Sequence, residues 1–290
     1  MMISALLAFP FWRPLCTAVL LGLFLPVFGR HLVLGRCALL GLAIPQLTMT
    51  VIVAAFTAAA LHWFPWNTIR DESTLALIGG LSTGVPALLI AGGLVVSRGK
   101  TESWLIFGYL ASITSTNLLL AAGPVGETSL KDLLQGRLLL VSPLTLLVLV
   151  LTLGIGGAIS IVLRLRLLLV LTDPEFAGVA GVNVRRWKQA ALLLDGTATG
   201  VAVAVAGPNV TFALLVLPAL AAASFAKSLS AHLLFSCTLG ALGAAAGFLA
   251  SVWTDLPSGD CVTGLLCLSF AGVTVGTALF QGRRMRTPAV

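Results

Sequence analysis

Asp195 is the one acidic residue of this 290-residue chain that falls within a stretch apolar enough to cross a lipid bilayer, so chemistry is sought there first. The span that carries it begins near Lys188, which places the carboxyl roughly 10 Å along the helix axis, too deep for a short side chain to reach water. An ionised carboxylate at that depth costs several kcal/mol unless it faces a cavity or a partner. Steps of four and three put Ala191, Asp195, Thr199 and Ala202 on one face of small or polar groups, with Ala198 beside them. Two readings follow: a polar element of a passage, formed by Asp195 with Thr199 and with Gln46 of another span, or a carboxylic acid bonded to a neighbouring helix. Pro218, in the middle of a later span, removes a backbone donor and is expected to kink or break its helix, so it is a further candidate to line a path. His31, His62 and His232 fall at or near span ends and read as interfacial histidines. HExxH is missing, which with the histidines at span ends argues against an intramembrane hydrolase, and there is no GxxxxGK[ST] loop to cradle a nucleotide.

These residues sit in a chain that is 58% hydrophobic and 9% charged, with a mean hydropathy of +1.07, far from the composition of a water-exposed surface. A bilayer is the expected solvent. The basic excess, pI ≈ 9.7, is read as cytoplasmic loops rather than as a nucleic-acid surface. The five cysteines are odd in number and have no CxxC spacing, so neither a disulfide framework nor a thiolate metal site is expected. MMISALLAFPFWRPL has no basic region ahead of its apolar run, so a cleaved signal peptide is not expected.

A helix spanning the hydrocarbon core needs about 20 mostly apolar residues. The fold class expected is all-α: a polytopic transmembrane bundle of about nine spans (eight to nine), near 14–30, 38–62, 75–97, 103–122, 138–163, 188–206, 209–225, 229–252 and 261–281. With the C-terminal RRMR in the cytoplasm, Arg30, Arg36, Arg98, Lys100, Arg164, Arg166, Arg185, Arg186, Lys188, Lys227, Arg283, Arg284 and Arg286 fall inside. Only Arg13, Arg70, Lys131 and Arg137 fall outside, a bias of thirteen to four that predicts N-out and C-in. All six tryptophans lie near span ends, as an aromatic belt requires. Gly80 with Gly84, Gly196 with Gly200 and Gly243 with Gly247 stand four apart and suit close helix packing.

Between two of the most apolar segments lies LTDPEFAGVAGVNV, Leu171 to Val184, cytoplasmic in this topology. Thr172 with Glu175 forms a capping box, or Asp173 caps with Pro174 at the first helical position; either starts a helix. Gly178 weakens its interior, and Gly181 followed by Val182 and Asn183 offers a stop. On local features this is a capped loop on the headgroups or a docking helix that carries force to a cytoplasmic motor.

DPEFAGVAGVNV resembles the coupling segment of the metal-uptake ABC permeases, the zinc and manganese importers, with Asp173, Pro174, Glu175, Ala177, Gly178 and Gly181 in the matching stretch. The likeness continues in AGPNVTFALLVLPALAA (Ala206 to Ala222), DLPSGDCVTG (Asp255 to Gly264), GRHLVLGRCALLG (Gly29 to Gly41) and KDLLQGRLLLVS (Lys131 to Ser142). Five blocks in order cover nearly the whole chain. The resemblance implies one permease domain over residues 1–290, in a bacterial plasma (inner) membrane, with the short helix coupling it to a separate ABC ATPase. It also implies an extracytoplasmic substrate-binding protein, a second permease copy or paralogue, and a divalent metal such as zinc or manganese as cargo. No cofactor is expected on the chain itself, and ATP is hydrolysed by the partner, so the chain is not an enzyme.

One departure bears on the cargo. After A-L-x-G the family usually continues D-A-x-S-H-A, whereas this chain reads Leu42, Ala43, Ile44, Pro45, Gln46, Leu47. Zinc and manganese are bound by imidazole and carboxylate, which those residues do not replace. The metal ligands therefore stay unknown, and Asp195 is the candidate for the polar element that the second span lacks. The rival readings are a transport-inactive or regulatory permease paralogue and a secondary transporter; the latter needs intramembrane ionisable groups and usually internal repeats, of which no clear one is seen.

Overall fold

The computed structural model describes residues 12–35, 37–60, 74, 78–80, 82–83, 101–122 and 141–284. Every regular element among them is helical: α1 (Trp12–Leu34), α2 (Ala38–Ala60), α3 (Thr101–Ala122), α4 (Pro143–Val162), α5 (Arg164–Thr172), α6 (Pro174–Val179), α7 (Val184–Ala223), α8 (Leu229–Thr254) and α9 (Ser258–Arg284). Seven of these are long and apolar enough to cross a membrane: α1, α2, α3, α4, α7, α8 and α9. The expected span 75–97 lies almost wholly outside the described residues.

The expected sixth and seventh spans are the two arms of α7. Its backbone leaves helical geometry at Gly207 (φ 76°, ψ 166°), a conformation open essentially to glycine alone, and Pro208 starts the second arm with its φ already suited to a helix. The packing shows that the chain doubles back there. In a straight helix Asp195 and Leu215 would be about 30 Å apart at 1.5 Å per residue. Both instead meet one short stretch of α1: Asp195 bonds His31, and a Cβ on Gly29 would overlap the Leu215 carbonyl. Arms 184–206 and 208–223 thus form a helical hairpin with its apex at Gly207. The break expected at Pro218 is absent; Pro218 is buried in a continuous stretch of the second arm.

The hairpin is the centre of the bundle. Leu214, Leu215, Ala219, Ala221 and Ala222 have no exposed surface, and Ala198 through Ala202 on the first arm are nearly as enclosed. Close approach of backbones substitutes for a hydrophobic drive that lipid does not supply. Gly22 of α1 meets Gly240 of α8, leaving no room for a side chain on either, and Gly200 meets the backbone of Gly79. The expected packing glycines Gly243 and Gly247 lie against Leu266 and Val262 of α9. Gly196 contributes its carbonyl, which accepts the Thr83 hydroxyl at 2.6 Å, and Gly84 lies outside the described residues. On the periphery, Phe107 and Leu118 of α3, Leu147 and Ile155 of α4, Leu242 of α8 and Leu268 of α9 face outward, where lipid chains would solvate them.

Candidate functional site

Two places bear on function: a buried charged cluster where α1 meets the hairpin, and the short helix α6.

α1 runs on through Arg30 and His31 to Leu34, so both residues lie inside a helix and both are fully buried. This corrects the expectation that Arg30 belongs to a loop, and it encloses His31 among helices where the sequence suggested an ordinary histidine at a span end. The signal for it was the apolar run Leu32 to Leu34, which continues the helix past the charges. His31 Nδ1 stands 3.1 Å from Asp195 Oδ1, and Asp195 is 2% exposed. With the carboxylate accepting, the imidazole proton sits on Nδ1, and Nε2 has no partner among the described residues. Thr199 bonds the Asp195 backbone carbonyl at 2.5 Å, not its carboxylate, while Gln46 is half-buried on α2 with its own carbonyl accepting from Thr50 at 3.1 Å. The structure therefore joins Asp195 to His31, and Thr199 to it only through the helix backbone.

His232 is buried as well, 4% exposed, its Nε2–H donating to the Ala219 carbonyl at 3.0 Å. It ties the start of α8 to the end of the hairpin. His62 lies outside the described residues. Among the described residues Arg30 is the largest fully buried side chain, and none of its three guanidinium nitrogens finds a hydrogen-bond partner there. Asp195, Arg164, Cys237 and His232 all lie within its electrostatic reach. Among the described residues no three of His, Cys, Asp and Glu converge as a metal site.

α6 shows how a short helix can stand alone at one end of a membrane bundle. Asp173 is its N-cap, its carboxylate accepting the Phe176 N–H at 3.0 Å, with Pro174 at the first position. Of the two starts read from sequence the Asp173 cap forms; Thr172 instead bonds back to the Leu168 carbonyl at 2.8 Å. Gly181 (φ 78°) closes the helix, with Val182 N–H reaching the Ala177 carbonyl at 2.9 Å. Asn183 then caps α7, accepting the Arg186 N–H at 3.2 Å. Arg166 of α5 lies over the Trp187 ring of α7, 5.7 Å from its centroid, and braces the two helices between which α6 hangs.

Asp173, Glu175, Gly178 and Gly181 are exposed, Pro174 is half-buried, and Ala177 is fully buried, so Ala177 anchors α6 rather than facing out. A side chain added at Gly178 would meet nothing within 4 Å. Sequence reasoning missed Phe176 and Val179, 60% and 89% exposed, which give the outer face of α6 its apolar character. The hint was two large apolar residues three apart in a helix too short to bury both.

Residues 10–276 match the ABC 3 transport family. No curated protein matches the sequence. Among solved structures the chain is similar to PsaBC from Streptococcus pneumoniae, solved in complex with Fab, with a TM-score of 0.74 at 18% identity over 93% of each chain. It is also similar to an inward-facing transporter described as of metal-chelate ABC type, with a TM-score of 0.68 at 17% identity, covering 95% of this chain and 89% of that one. At such identities the likeness is one of fold, and it agrees with the all-helical bundle found here. The family match extends over most of the residues: the chain belongs to the ABC 3 transport family and is a multi-pass, non-catalytic membrane component of a transporter.

Proposed function

We propose that this chain is the permease subunit of an ATP-driven importer of divalent metal, zinc or manganese, free or in chelated form. The observation that carries the proposal is α6: a capped helix, held between two longer ones and turned outward with Phe176 and Val179 exposed, suits docking to a cytoplasmic ATPase. The likeness to a transporter described as of metal-chelate type favours metal as the cargo. ATP is bound and hydrolysed by that partner, and a second permease copy or paralogue completes the pore. An extracytoplasmic binding protein delivers the cargo at the opposite end. The positive-inside bias supports N-out and C-in in a bacterial inner membrane, with α6 on the cytoplasmic side.

The test is reconstitution of the chain with its ATPase in liposomes, measuring ATP-dependent accumulation of radioactive zinc or manganese, supplied free and as a chelate. Accumulation of either form supports the proposal. Stable assembly with stimulated ATP hydrolysis but no accumulation of any metal favours the second reading, a transport-inactive paralogue, for which Leu42 and Gln46 on α2 already speak.

A further inference from the structure

Arg30 poses a physical problem that the rest of the bundle does not. A buried donor left without an acceptor costs about 1–3 kcal/mol, and a charged one costs more. Among the described residues all three guanidinium nitrogens are in that state, and the side chain is fully buried. Among the described residues one carboxylate lies within electrostatic reach, that of Asp195. Arginine is the stronger carboxylate partner because it offers a planar, bidentate fork. The carboxylate nevertheless bonds His31, one residue further along α1 and about 100° round its axis.

We propose that Asp195 is a shared carboxylate, held by His31 in the conformation described here and passed to Arg30 when arm 184–206 shifts against α1 during transport. α1 is held on α8 through Gly22 and Gly240 and on the second arm of the hairpin through Gly29 and Leu215, so the part that would shift against this unit is the first arm, which itself rests on Gly79 through Gly200. It starts at the Asn183 cap directly after α6, so a displacement of α6 is carried along a continuous helix to Asp195, with no break before Gly207. Each end state then satisfies one of two adjacent donors and leaves the other unpartnered, so neither arrangement is fully satisfied.

The proposal rests on the chain being a transporter, but its test needs no ATPase, so failure of ATPase docking would leave the measurement intact. The full chain, in a background without native cysteines, carries spin labels at exposed positions Leu23 on α1 and Arg185 at the start of the arm, and is reconstituted in liposomes. Distance distributions are then recorded. Arg30→Met should deplete the second distance population at least tenfold, and His31→Leu should enrich it at least tenfold. Arg30→Lys should retain the population that Arg30→Met loses. Arg30→Gln and His31→Asn replace the Met and Leu variants if those fail to reach the membrane, with the same expected directions. Shifts in one direction for both residues, or no shift for either, would overturn the exchange and leave His31 and Asp195 as a static bond.

Discussion

His31 and Asp195, 164 positions apart in sequence, meet at 3.1 Å in the interior of the bundle and join the first helix to the central hairpin. The carboxylate is removed from water yet is not alone, which is the condition under which an acid is tolerated at that depth.

Asp195→Asn keeps the shape and can still accept from His31, so stability should change by about 1 kcal/mol or less. Loss of the negative charge should lower metal uptake severalfold, while recovery of the chain with its ATPase stays normal. Flux and co-purification, measured side by side, check this; unchanged flux would make the carboxylate structural only.

The hairpin turn depends on one backbone conformation. Gly207→Ala forces φ 76°, ψ 166° on a residue with a Cβ, at a cost of roughly 1–3 kcal/mol. A detergent or thermal unfolding midpoint should fall accordingly. Gly264→Ala, whose new Cβ would meet nothing within 4 Å, serves as the neutral control.

Docking through α6 requires its outer face. Phe176→Ala with Val179→Ala, or charge reversal at Asp173 and Glu175, should leave the chain in the membrane and abolish stimulation of ATP hydrolysis. Ala177→Leu should act differently, because Ala177 is fully buried: the helix itself should be displaced, seen as increased proteolysis between Thr172 and Asn183. Survival of coupling in the Phe176 and Val179 variant would remove α6 as the docking site.

Sidedness is open to direct measurement. Single cysteines at Ala180 and Pro257, both exposed and at opposite ends of the bundle, should react with an impermeant thiol reagent from the cytoplasmic and the external side respectively. The reverse pattern would invert the orientation assigned from the basic residues.

The spans, the capped helix and its place between two membrane helices were legible in the sequence because they rest on local quantities. Runs of about 20 apolar residues, an Asp-Pro start and a Gly stop need no knowledge of the rest of the chain. The isolation of Asp195 was legible for the same reason. Its partner was not, since His31 lies near the end of another helix and only the packing of α1 on the hairpin brings the two together. The reversal between residues 206 and 209 was legible as the boundary of two apolar runs, whereas the break expected at Pro218 does not occur, because a proline inside an apolar helix is tolerated where neighbouring helices enclose it and the positive φ that reverses the chain falls to Gly207. Burial of Arg30 also belongs to the tertiary structure. A cation in an apolar run reads as a loop until the helices around it are assembled, and only that assembly leaves Arg30 without exposed surface.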